Sequence, residues 1–108
     1  MSEHISEETI AKVKAENPGR ELHLFGNEFG QAIFRSPTRS EYERMLEERH
    51  NEELRVVAPR NLVMSCAIYP KDAELLALLD RYPGLINVFA GELASIAGAK
   101  SVSIRKKL

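Results

Sequence analysis

The chain has no tryptophan and a single cysteine, Cys66, so no intramolecular disulfide can form. A lone thiol fits a reducing compartment. No apolar run approaches the roughly 20 residues needed to span a bilayer. The opening segment MSEHISEETI is polar and acidic, unlike a secretory signal. A formal net charge of -1 gives no overall field to draw in nucleic acid or an anionic membrane surface. GxGxxG and GxxxxGK followed by Ser or Thr are both absent, so Gly26, Gly30, Gly91 and Gly98 make no phosphate-binding fingerprint. No internal repeat and no low-complexity tract is present. These absences point to a soluble protein that stays where it is made.

What is present suits one globular domain. The length of 108 residues is that of one unit, and 44% hydrophobic residues supply a modest core. Residues 5–16 read as a short helix, with Ser6 as its cap and Glu7 and Glu8 at its positive end. Its apolar stripe is thin (Ile5, Ile10, Val13), which predicts a loosely attached arm. Asn17-Pro18-Gly19 stops it.

Residues 20–35 read as a β-hairpin. Leu22 and Leu24 alternate with Glu21, His23 and Phe25, Gly26-Asn27 supplies the turn signal, and Gln31 to Arg35 forms the second run. Two strands alone are marginal in water, so helices or a third strand must support them. Thr38 and Glu41 have capping-box spacing at the head of an amphipathic helix. Residues 52–58 either extend that helix or begin the next. A break near Ala58 is expected, then a helix from Pro59 to about Ile68, with Leu62, Val63, Cys66 and Ala67 on one face.

Pro70 breaks the chain again. Asp72 is placed to cap a helix running to about Tyr82, with Leu75, Leu76, Leu78 and Leu79 inward. Pro83 opens a last helix, Gly84 to Ala97, with the stripe Leu85, Val88, Phe89, Leu93 and Ile96, and Gly98 suits its stop. The tail KSVSIRKKL is basic, and Val102 and Ile104 alternate with serines. The resulting class is α+β: a short N-terminal β-hairpin packed on a bundle of about four short helices, with a third strand from the C-terminal tail as an option. The organisation is an arm over residues 1–19, a compact unit over 20–99 and a basic tail over 100–108.

Candidate chemistry is sparse. Cys66 sits among Leu62, Val63 and Ala67 at helical spacing, which is the setting of a buried thiol rather than a nucleophile. His4, His23 and His50 are scattered without ligand spacing, so no metal site is expected. Glu47, Glu48, Glu52 and Glu53 around Arg49 and Arg55 suit a solvated face with weak ion pairs. Lys100 to Lys107 lacks interleaved aromatics, so nucleic-acid binding is not expected. No catalytic residue and no cofactor is assigned. The last helices, however, carry more apolar positions than a small domain readily covers. These stripes read mostly as core; the alternative is a groove between the last two helices that accepts an amphipathic helix, for which Leu75, Leu79, Tyr82, Leu85, Val88, Phe89 and Leu93 are the candidate partner-binding residues. Self-association is a further option.

The order ELHLFGNEFGQAIFR, SPTRSEYERML, NLVMSCAIYP, ELLALLDRYPGL and a last helix ending in SIAGA, with its proline punctuation, resembles the small tail assembly chaperones of long-tailed bacteriophages and prophages. The resemblance covers residues 20–98, and Pro59 departs from it by falling inside what would be a longer helix. It implies a non-enzymatic protein of the bacterial host cytoplasm, absent from the mature virion. Such a protein binds the tape-measure protein, with tail-tube subunits as further partners, and keeps it soluble during assembly. Members of that group are often made in a second, longer form by translational frameshifting. The alternative is a structural phage subunit, such as a head–tail connector or tail terminator, suggested by the basic tail and the bare hairpin edge.

Overall fold

The computed structural model of the chain describes residues 4–98. The third strand considered for the C-terminal tail lies outside them. The described residues form an α+β fold in three layers: one helix, a three-stranded antiparallel sheet, and four further helices.

Helix α1 (Glu7–Glu16) starts as its sequence dictates, with the Ser6 side chain accepting from the Thr9 N–H at 3.2 Å. At its other end the Asn17 side-chain amide donates to the Val13 carbonyl at 2.8 Å. Strands β1 (Leu22–Asn27) and β2 (Gly30–Arg35) form the hairpin. Its turn is two residues later than the Gly26-Asn27 expectation, because Asn27 pairs with Gly30 and leaves Glu28 and Phe29 as the loop. The Asn27 side chain accepts from the Phe29 N–H at 2.9 Å and fixes that turn. Gly26 is inside the strand, and a Cβ there would run into the Gly30 carbonyl oxygen.

The alternation along β1 is real, but its inward face carries His23 and Phe25, opposite Phe34 and Ala32. Leu22 and Leu24 point the other way, with Arg35 and Ile33. Rings decide the matter. His23, Phe25, Phe34 and Phe89 make a continuous series with centroid separations of 5.7, 5.7 and 5.0 Å, which anchors the sheet on the helices below it.

Helix α2 (Arg39–Arg49) opens with the expected capping box, the Glu41 N–H donating to Thr38 Oγ1 at 3.2 Å and the Thr38 N–H to Glu41 Oε1 at 2.9 Å. Residues 51–57 are turns that belong to neither helix. Helix α3 (Ala58–Cys66) ends two residues before the expected Ile68, since Ala67–Tyr69 leave it as strand β3 and pair with β2. This is the third strand, and it comes from mid-chain. Pro70 favours it, by disfavouring helical backbone in the residue before it. Helix α4 (Asp72–Arg81) has Lys71, not Asp72, at its N-cap, and Asp72 stands inside the helix at φ 49°. Helix α5 (Leu85–Ile96) runs to the Gly98 stop, where φ is +97°.

The core lies between the sheet and α2 to α5. Phe34, Val63, Cys66, Leu75, Phe89 and Leu93 are fully buried there. Gly30 lets two leucines reach the strand: a Cβ at that position would stand 2.9 Å from Leu78 Cδ1 and 3.0 Å from Leu85 Cδ1. Among the described residues no helix is long and apolar enough to cross a membrane.

Candidate functional site

Five of the seven side chains expected to line a partner groove are core. Leu75, Leu79, Leu85, Phe89 and Leu93 are each 3% exposed or less. The surface groove expected of them is therefore corrected. The sheet absorbs these stripes, with Phe89 against Phe34 and Leu85 beneath Gly30. Only Tyr82 and Val88 reach the surface, and both are half-buried against the same core.

Tyr82 leads to a different site. The hairpin turn and the α4–α5 connection meet at one end of the molecule and enclose a cleft of about 370 Å³, lined by Asn27, Phe29, Arg81, Tyr82, Pro83, Gly84 and Leu85. Phe29 is 47% exposed at the turn, and its ring lies 5.3 Å from that of Tyr82 in a tilted pair. The Arg81 guanidinium stands 5.3 Å from the centre of the Tyr82 ring, a cation–π distance. The Asn27 side chain and Pro83 restrict the two backbone segments, so the aromatic pair is presented by preset loops. Such an arrangement offers two flat apolar surfaces and one cation to an apolar or amphipathic segment.

The densest polar cluster lies elsewhere and binds the fold to itself. Arg35 forms two hydrogen bonds of 2.7 Å to the Glu41 carboxylate and donates to the Ser65 carbonyl at 2.8 Å. The Arg35 hydrogen bonds hold the Glu41 carboxyl down at about 2, with the Thr38 bonds adding to the effect. Burial, and next the Glu41 charge, push the Cys66 thiol up to about 11. At neutral pH the cluster thus holds a fixed carboxylate and a protonated thiol, and it works as a clamp. No group of three or more metal-binding side chains, whether around His4, His23 and His50 or elsewhere, gathers among the described residues.

Residues 26–106 match the family described as Domain of unknown function (DUF6848). The chain belongs to that family. The DUF6848 match takes in every residue lining the aromatic cleft and all three members of the Arg35–Glu41–Ser65 clamp, and it begins after α1. The chain is also similar to a solved structure, that of the uncharacterised protein rbstp2171 from Bacillus stearothermophilus, with a TM-score of 0.72 and 25% identity over 90% of this chain and 99% of that one. A comparison with curated proteins returns no match.

Phe29 is the site residue that sequence reasoning passed over. Its signal was visible as a large apolar side chain between Asn27-Glu28 and Gly30, where turn residues are normally polar.

Proposed function

We propose that this chain is a non-enzymatic tail assembly chaperone, which binds the tape-measure protein of a long-tailed phage or prophage and keeps it soluble while the tail is built. The resemblance of residues 20–98 to that group suggests the partner. The observation that carries the reading is the aromatic cleft at the hairpin tip. Apolar side chains scattered singly over a surface are ordinary. A phenylalanine held 47% exposed on a fixed turn, paired with a tyrosine and flanked by an arginine, is a built contact surface. A tape-measure protein is long, helical and apolar, so it aggregates unless its stripes are covered. Many modest contacts along one long chain give total affinity while leaving each contact releasable.

The test is co-expression with the tape-measure protein encoded by the same phage or prophage, scored by soluble yield and co-purification. The wild-type chain is expected to hold the partner in solution. Phe29→Glu, on an exposed turn, should leave the fold intact and cut co-purification by about tenfold. Equal recovery with Phe29→Glu, or an insoluble partner with the wild type, overturns the proposal.

The outer edge of β1, which pairs with no strand among the described residues and stands at one end of the sheet order β1-β2-β3, favours a second reading as a structural subunit that recruits a strand. Mass spectrometry of purified virions separates the two, since a structural subunit stays in the particle and a chaperone leaves it.

A further inference from the structure

Helix α1 covers the face of the sheet opposite to the main core, and it covers it incompletely. The Ile5 N–H donates to the Gln31 side chain at 2.9 Å, and Val13 is 6% exposed. Ile33 is 4% exposed, yet it lies outside the main core cluster, as does Val13. On the same face Leu24 and Tyr69 stay 44% and 38% exposed. Two clefts flank the helix toward α4, one of about 400 Å³ at its Ile5 end and one of about 640 Å³ at its Val13 end. Val13 is the one buried residue of α1, and the family match begins beyond the helix. The connection Asn17-Pro18-Gly19 includes a glycine at φ +75° with open space around it, so it permits a swing.

We propose that this sheet face is a docking site for an amphipathic helix, and that α1 is its resident occupant, displaced by a partner helix with a longer apolar stripe. What sits there now shows what fits: a helix presenting Thr9 and Val13 four residues apart, with Ile10 beside them and Ile5 just ahead of its cap. The tether holds α1 at an effective concentration of order millimolar. An incoming helix must therefore bury more than α1 does, and the exposed Leu24 and Tyr69 provide the additional area. The partner is an extended apolar helix, which rests on the tape-measure reading above. The helix–sheet exchange itself can be tested without that protein.

The experiment uses the full chain and a fluorescently labelled peptide of residues 4–17, followed by anisotropy. In the Val13→Glu chain the arm is released, and the peptide should bind at least about tenfold more tightly than to the wild type, whose own arm occupies the face. A peptide carrying Val13→Glu should bind neither. Failure to bind a natively folded Val13→Glu chain, or equal binding to both chains, overturns the proposal. So does loss of the native circular dichroism spectrum in Val13→Glu, which would make α1 part of the core. Hydrogen exchange on the unmodified chain gives an independent reading. The α1 amides should exchange about 100-fold faster than those of β2, and equal protection counts against an exchangeable helix. Peptide binding together with failure of tape-measure solubilisation would sink the chaperone reading and leave the docking face standing.

Discussion

The two faces of the sheet are built from residues one step apart on the same strands, and they meet different fates. Phe34 points inward and has no exposed surface, held between the Phe25 and Phe89 rings and surrounded by α2 to α5. Its neighbour Ile33 points outward and is 4% exposed, on a face that a single helix, α1, meets at Gln31 and where Leu24 and Tyr69 remain open. Similar burial at 33 and 34 therefore conceals different security. One face is locked by interdigitated rings, and the other is closed by a helix with one buried anchor. A residue's exposure reports whether it is covered. How firmly it is covered depends on what else holds the cover in place.

Substitutions on either side sharpen the contrast. Phe34→Ala removes the middle of the ring series and leaves a cavity, so unfolding in denaturant should show a loss of about 4 kcal/mol. Next in size is the clamp that ties the inner layer together. Glu41→Gln leaves Arg35 with a weakened partner and should lower stability by about 2 kcal/mol at pH 7. The native Glu41 carboxyl sits near 2, below its ordinary value of 4.5. Its contribution is thus fully present above about pH 4.5 and fades as pH falls toward 2. After allowance for the solvent that reaches the pair, the acid loss should be about 1–2 kcal/mol, and Glu41→Gln should abolish that part of the pH dependence. The smallest effect belongs to the outer face. Val13→Ala should cost about 1 kcal/mol. A Val13→Ala loss as large as that of Phe34→Ala would erase the distinction between the faces.

Local chemistry was legible in the chain. Ser6 and Thr38 are cap residues wherever a helix begins after them, and Glu41 stands at the one spacing that closes a capping box. The inventory of elements followed from such signals and from the prolines. What stayed hidden depends on partners far along the chain. Ala67–Tyr69 is strand only because Ile33 and Phe34 pair with it, about thirty residues away, and a three-residue strand has no period of its own to read. The inward face of β1 was set by aromatic stacking across elements, which outweighed the leucine alternation. The stripes of α4 and α5 were legible as apolar, but their destination was not. The core reading of Leu75, Leu79, Leu85, Phe89 and Leu93 holds, and the groove alternative fails because the sheet takes up the area they offer. Phe29 was passed over for the opposite reason: the hairpin turn lies two residues beyond Gly26-Asn27 and puts it at the hairpin tip.

The Glu41 carboxylate has a further consequence for how the protein comes apart. It bonds the backbone at residue 38 and the guanidinium of residue 35, and through that guanidinium it engages the end of α3 at residue 65. Three segments meet at one side chain, so none of them can fray without stripping the others of a partner. The end of β2, the first turn of α2 and the last turn of α3 are thereby coupled, so that local opening of any one of them weakens the other two.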